Sequence, residues 1–184
     1  MLEIFVLAFA LSMDAFAVSL CLGARYSSNI KSTALKAAFY FGLFQGLMPL
    51  AGYLIGQKII SYIEKYDHWI AFVILFVLGA KMIYESFKDE SCEFTPNALT
   101  HKSLFLLAIA TSIDALAAGF TISLIEIQPY LGILIIALVT FCVSYIAVIV
   151  GSKSGTWLEK KAELLGGVVL ILIGFKMLIG HSAF

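Results

Sequence analysis

The sequence predicts an all-α integral membrane protein of six transmembrane helices, arranged as two inverted three-helix repeats. Three observations predict this fold class: a strongly apolar composition, six apolar segments of membrane-spanning length, and an aspartate motif that occurs twice. The 184 residues are 61% hydrophobic and 13% charged, whereas soluble domains average about 45–50% apolar and 25% charged residues. The net charge is zero, which argues against a nucleic-acid partner and leaves membrane lipid as the expected surroundings.

Six apolar segments account for most of the chain. Each is close to the roughly 20 residues that a helix needs to cross the hydrocarbon core, and a helix satisfies its own backbone hydrogen bonds in lipid. The segments are Ile4–Gly23, Ala37–Gln57, Trp69–Phe87, Ser103–Ile125, Leu131–Gly151 and Leu164–Gly180. Pro49 predicts a kink in the second segment. No basic residue precedes the first segment, so we interpret it as a retained helix and not as a signal peptide.

The distribution of basic residues predicts that both termini are extracytoplasmic. With the N-terminus outside, the cytoplasmic loops contain eight Lys and Arg residues and the outer loops contain two. The cytoplasmic residues are Arg25, Lys31, Lys36, Lys88, Lys102, Lys153, Lys160 and Lys161, and the outer residues are Lys58 and Lys65. An excess of positive charge marks the cytoplasmic side of a membrane protein, so this orientation is preferred over the reverse.

The two halves of the chain carry matching motifs in the same order. The matches are Ser12–Ala17 with Ser112–Ala117, Gly56–Lys58 with Gly151–Lys153, and Leu78–Met82 with Ile173–Met177. Each half contains three segments, an odd number, so the second half is inserted upside down; transporters commonly place a binding site between such repeats. We divide the chain into a first repeat at 1–90, a cytoplasmic linker at 91–102 and a second repeat at 103–184, which together form one domain.

Asp14 and Asp114 lie near the centres of two apolar segments. A carboxylate at that depth costs about 2.5–3.5 kcal/mol on insertion scales, and such residues usually bind something. Inverted symmetry would bring the two together, where like charges cannot both stay ionised without a cation between them. A site rich in oxygen and poor in sulfur suits Mg²⁺ or Mn²⁺. The alternative is that both aspartates only form hydrogen bonds between helices.

Four uncharged polar residues are candidate metal ligands beside the aspartates. Gln45 lies in the middle of the second segment, and Thr140 is its counterpart in the repeat alignment. Either residue supplies a ligand oxygen or makes a lateral hydrogen bond between helices. The hydroxyl groups of Thr111 and Ser112 lie close to Asp114 in the sequence and add further oxygen atoms.

Three further charged residues are candidate partners of the aspartates. Lys81 and Lys176 occupy equivalent positions in the third and sixth segments. They are counter-ions for the aspartates when no metal is bound, or they extend to the membrane interfaces. Glu85 follows Lys81 by one helical turn, so it forms an ion pair with Lys81 or acts as a ligand where the cation enters.

The sequence predicts neither an enzyme nor a bound cofactor. The three histidines, His68, His101 and His181, lie in or next to the predicted loops and away from any nucleophile within a segment. No phosphate-binding glycine-rich loop with a Gly-Lys-Ser or Gly-Lys-Thr ending occurs, which argues against ATP-driven transport by this chain.

The motifs resemble those of the MntP-type manganese efflux pumps, which are related to the broader LysE-like exporter superfamily. The resemblance rests on Ser12–Ser19, Ala110–Ala117, His68–Val73 running into Leu78–Ile83, and Lys160–Gly167. It covers nearly the whole chain in the same order. It implies a multi-pass protein of a bacterial inner membrane that exports Mn²⁺ as its substrate, with Asp14 and Asp114 as metal-handling residues.

The resemblance is compatible with more than one transported substrate. Some relatives have an acidic residue where Gln45 stands, and a sporulation-associated branch shares the fold. The alternatives are a LysE-type amino-acid exporter, in which the aspartates bind an ammonium group, and a cation-coupled protein that carries another divalent metal.

Overall fold

The computed structural model describes residues 2–26, 29–63, 67–87, 99–123, 128–154 and 159–181. These residues form eight α-helices and no strand. The helices are α1 Leu2–Leu11, α2 Met13–Arg25, α3 Ile30–Ile63, α4 Asp67–Ser86, α5 His101–Thr111, α6 Ile113–Ser123, α7 Pro129–Ser154 and α8 Glu159–His181. The all-α class predicted from the sequence is therefore confirmed.

The first and fourth apolar segments are not the continuous helices that the sequence predicted. The first is divided into α1 and α2 with a bend of 40°, and the fourth into α5 and α6 with a bend of 42°. Ser12 and Ser112 occupy the two bends. The Ser12 hydroxyl donates to the Phe9 carbonyl at 2.7 Å, and the Ser112 hydroxyl donates to the Ala108 carbonyl at 2.6 Å. Such back-bonding by serine bends helices, because the hydroxyl competes with the backbone N–H for the carbonyl oxygen.

The apolar helices make this a multi-pass membrane protein by length and composition. In the described part of the chain, two helices are long and apolar enough to cross a bilayer, Ile30–Lys58 and Pro129–Lys153, and the number rises to four if each bent pair is one span. Shorter apolar stretches, Phe72–Tyr84 and Leu164–Lys176, lie within α4 and α8. The prediction of six spans therefore stays a prediction.

The outer faces of the long helices are apolar, as contact with lipid requires. On α3 the exposed large side chains recur every four residues, at Leu35, Phe39, Leu43 and Leu47. An exposed apolar stripe of this length on a soluble protein would be a site of aggregation or association. In a membrane protein it is the surface that faces the acyl chains.

Helices from the two halves of the chain pack against each other. Helix α3 packs along α7, and α4 packs along α8. In addition, α2 of the first half packs on α7 of the second, and α3 of the first half packs on α6 of the second. The core is therefore shared between the halves, although the chain between α4 and α5 lies largely outside the described residues.

Glycines allow the closest of these helix contacts. A Cβ atom added to Gly23 of α2 would lie 2.0 Å from the carbonyl oxygen of Val148 on α7. A Cβ atom on Gly52 of α3 would lie 2.0 Å from the carbonyl oxygen of Leu116 on α6. Both distances are far inside van der Waals contact with backbone atoms, so only glycine lets the two backbones approach this closely.

Replacing either contact glycine with alanine is expected to destabilise the protein by about 1–3 kcal/mol, as overpacking does. The measurement is thermal unfolding of purified Gly23→Ala and Gly52→Ala proteins in the same detergent. Gly132→Ala is the matched control, because the nearest atom to its added Cβ is Ile4 Cγ2 at 3.7 Å, an ordinary contact distance. Melting temperatures equal to that of the control would contradict the packing described above.

Candidate cation site at two helix bends

Each aspartate lies just beyond one of the two helix bends. Asp14 is in the first turn of α2, and Asp114 is in the first turn of α6. Asp114 is buried, with 5% of its surface exposed, and Asp14 is half-buried. The first turn of a helix favours negative charge, because its backbone N–H groups carry partial positive charge. The repeated motif therefore forms the same local structure twice.

The two carboxylates lie within electrostatic reach of each other. The charge of Asp14 acts on Asp114, and so does the charge of Lys81 on α4. The backbone N–H groups of Asp114 and Ala115 also act on that carboxylate, but neither of its oxygen atoms has a hydrogen-bond partner among the described residues. A buried charge without hydrogen bonds is costly, so the carboxylate of Asp114 is suited to a cation.

Gln45 links the second helix to the first bend. Its side chain is 1% exposed, and its Nε2 donates to the carbonyl oxygen of Leu11, the last residue of α1, at 2.7 Å. The lateral hydrogen bond that the sequence suggested is therefore present. The other side-chain atom, Oε1, is buried and has no partner among the described residues, so the same amide also offers a ligand oxygen.

Thr140 lies opposite Gln45 where α3 and α7 cross. At this crossing a Cβ atom on Gly42 would lie 3.0 Å from the Cβ atom of Phe141, and both polar residues are within one turn of that contact. Thr140 is fully buried, and its Oγ1 has no hydrogen-bond partner in the described part of the chain.

Thr111 and Ser112 use their hydroxyl groups within their own helix. Thr111 Oγ1 donates to the Leu107 carbonyl at 3.0 Å, and Ser112 Oγ donates to the Ala108 carbonyl at 2.6 Å. A hydroxyl oxygen that donates one hydrogen bond still has lone pairs for a cation. Their observed role is nevertheless to satisfy carbonyl groups at the second bend.

The three charged candidate residues lie on two helices, Lys81 and Glu85 on α4 and Lys176 on α8. Lys81 is exposed on α4, and its charge acts on Asp114. Lys176 is exposed on α8. Glu85 lies on α4, but its side chain is outside the described structure.

Sequence reasoning missed the bends and the Leu11 carbonyl that Gln45 contacts. The available signal was the serine two residues before each aspartate, a residue type that bonds back to its own helix. No group of three or more His, Cys, Asp or Glu side chains converges among the described residues.

Comparison with known proteins now identifies the family. The family profile described as "Putative manganese efflux pump" matches residues 28–178. The chain belongs to this manganese efflux pump family. The predicted resemblance to MntP-type pumps is thereby confirmed. The match includes Asp114, Gln45 and Thr140 but begins after Asp14.

Relatives in this family align with the chain over nearly its full length. A relative from Aliarcobacter butzleri is 52% identical, with 97% of this chain and 99% of the relative aligned. A relative from Wolinella succinogenes is 50% identical over the whole of both chains. One from Saccharophagus degradans is 49% identical over 97% of this chain and 98% of the relative. All three are named as manganese efflux pumps, and no solved structure matches.

Replacing Gln45 with leucine is expected to destabilise the protein by about 1–3 kcal/mol, because the Leu11 carbonyl loses a buried partner. The measurement is thermal unfolding in detergent. Gln57→Leu on the same helix is the control, since Gln57 is exposed and donates to the Tyr53 hydroxyl of its own helix, at 2.6 Å. Equal melting temperatures for the two variants would show that the hydrogen bond does not stabilise the first bend.

Proposed function

We propose that the chain is a secondary-active exporter that carries Mn²⁺ from the cytoplasm across the inner membrane. The observation that carries this proposal is the buried carboxylate of Asp114, which lacks a hydrogen-bond partner among the described residues and lies within electrostatic reach of Asp14. Membership of the manganese efflux pump family supports Mn²⁺ as the substrate. The same membership supports a transporter and not an enzyme, with the metal as cargo and not as a cofactor.

The proposed Mn²⁺ site lies between Asp14 and Asp114. Two carboxylates neutralise one divalent cation, and Mn²⁺ accepts carboxylate, carbonyl and water oxygens. The unpartnered Gln45 Oε1 and Thr140 Oγ1 supply neutral oxygens to the coordination shell. The hydroxyls of Thr111 and Ser112 or water molecules complete it. No group of three His, Cys, Asp or Glu side chains that could hold a metal ion occurs among the described residues, so in this proposal the two aspartates supply the negative charge.

The proposed topology has six spans, both termini outside, and repeats 1–90 and 103–184 joined by a linker at 91–102. An inverted two-fold relation would exchange α2 with α6 and α3 with α7. The contact of α2 with α7 and that of α3 with α6 are then equivalent to each other. The similar bends of 40° and 42° support the same relation, as does the excess of basic residues in the predicted cytoplasmic loops.

The proposed transport step is a rocking of one repeat against the other around the aspartates. When Mn²⁺ leaves, the carboxylates need another source of positive charge. Lys81, whose charge already acts on Asp114, supplies part of it, and protons taken up by the aspartates supply the rest. Exchange of Mn²⁺ for protons follows from this scheme.

The test is complementation of bacterial cells that lack manganese export, with survival and intracellular manganese measured under manganese stress. The wild-type chain is expected to restore export. Asp14→Asn and Asp114→Asn are expected to lose at least about tenfold in export rate, because each loses a charge-assisted contact to the cation. Gln57→Leu, an exposed change on α3, is the control at matched expression.

Two results would contradict the proposal. One is the absence of rescue by the wild-type chain, and the other is full rescue by both aspartate variants. Efflux of basic amino acids that ignores Mn²⁺ would instead indicate a LysE-type exporter. Export of a different divalent metal would retain the site and change the cargo.

A further inference from the structure

Three buried hydroxyl groups are left unpartnered on one pair of helices. Ser19 of α2 and both Thr140 and Ser144 of α7 are fully buried, and none of their hydroxyl oxygens has a hydrogen-bond partner among the described residues. Seven other serine and threonine hydroxyls, in or next to the helices, donate to a carbonyl oxygen three or four residues earlier. These are Ser12, Ser86, Thr111, Ser112, Thr121, Ser123 and Ser152.

Ser19 and Ser144 lie on the contact between α2 and α7. Gly23 follows Ser19 by one turn, and Val148 follows Ser144 by one turn. A Cβ atom on Gly23 would lie 2.0 Å from the Val148 carbonyl oxygen, so the two helices are at their closest just beyond the serines. Both hydroxyls therefore lie in the helix interface within about one turn of each other. We call these two residues the serine pair.

The serine pair is continuous with the proposed Mn²⁺ site through Thr140. Ile4 of α1 lies beside Gly132 of α7, at 3.7 Å from the position of an added Cβ, and Gly23 of α2 lies beside Val148 further along α7. The first segment and α7 therefore run in the same direction. Thr140 follows Gly132 by eight residues, and Ser12 follows Ile4 by eight residues. Thr140 is therefore level with the first bend. Ser144 is one turn further along α7.

The related contact, between α3 and α6, has no unpartnered hydroxyl group among the described residues. In the repeat alignment Ser19 corresponds to Gly119 and Ser144 corresponds to Pro49. There, a Cβ atom on Gly119 would lie 2.1 Å from the Pro49 carbonyl oxygen, so the two backbones touch directly. Of these two related helix contacts, only that of α2 with α7 therefore carries unpartnered buried hydroxyl groups among the described residues.

We propose that the serine pair is a second oxygen site, through which a hydrated divalent cation passes between the cytoplasm and the aspartates. This inference rests on the proposed export of Mn²⁺ and on the proposed orientation, in which α2 runs from the aspartates toward the cytoplasm. Neutral hydroxyls bind a divalent cation weakly and leave much of its water in place. A weak site next to a strong one lets the ion arrive without being trapped.

The first test measures Mn²⁺ transport by the purified protein in proteoliposomes. Ser19→Ala and Ser144→Ala are each expected to raise the KM for Mn²⁺ about threefold to tenfold. This is the effect of losing one contact between a hydroxyl oxygen and the hydrated cation. The maximal rate and the equilibrium affinity at the aspartates are expected to stay within about twofold of wild type. Ser152→Ala on α7 is the control, because that hydroxyl donates to the Ile149 carbonyl at 2.6 Å.

The second test keeps the volume of the side chain and changes its chemistry. Sulfur binds Cd²⁺ far more strongly than a hydroxyl does, so Cd²⁺ is expected to block transport by Ser144→Cys at concentrations that leave wild type active. Ser152→Cys is the control for sulfur elsewhere on α7. Inhibition by Cd²⁺ is measured on a variant that still transports, so it does not depend on any stability that an alanine variant loses.

The outcomes separate this inference from the proposed function. If the wild-type protein transports no Mn²⁺, the proposed function itself fails. If wild type transports Mn²⁺ while Ser19→Ala and Ser144→Ala match Ser152→Ala in KM, the serine pair has no role in the path. Equal Cd²⁺ sensitivity of Ser144→Cys and Ser152→Cys would overturn the inference in the same way.

Discussion

The rest of the structure depends on the free energy of one buried carboxylate. Asp114 lies within an apolar helix, and the described residues give its oxygens no hydrogen bond. Such a group is stable only where opposite charge compensates it. The neighbouring charges are those of Asp14 and Lys81, of opposite sign, so the site holds its charge in balance only when a further cation or proton arrives. The second bend places this carboxylate in the first turn of α6, and the amide of Gln45 supports the first bend, which Asp14 follows.

The bends are the structural means by which polar groups reach the interior. In a straight apolar helix the carbonyl groups accept hydrogen bonds from the same helix. A bend at Ser12 or Ser112 leaves carbonyl oxygens without these bonds, and a side chain must then satisfy them. The two serines satisfy part of this need within their own helices, and Gln45 satisfies more from the neighbouring helix. The glycines at the α2–α7 and α3–α6 contacts allow the bent helices to pack closely against the straight ones.

The sequence predicted the helical class, because the apolar length of each segment persists in the folded chain. Asp14 with Asp114, and Gln45 with Thr140, were paired from the alignment alone. The bends were not predicted, since Ser12 and Ser112 interrupt no apolar periodicity. The carbonyl groups to which Thr111 and Ser112 donate could not be predicted from the sequence either, because these hydrogen bonds depend on the side-chain rotamers in the folded helix. The Leu11 carbonyl carries no side-chain signal at all.

Equilibrium binding of Mn²⁺ to the purified protein in detergent, followed by the electron paramagnetic resonance signal of the free ion, tests the central claim most directly. We expect one Mn²⁺ per chain for the wild-type protein. Asp14→Asn and Asp114→Asn are each expected to weaken binding by at least about tenfold, because a charge-assisted contact is lost. Wild-type affinity and stoichiometry in both variants would contradict the account, since the cation would then be held without the two carboxylates.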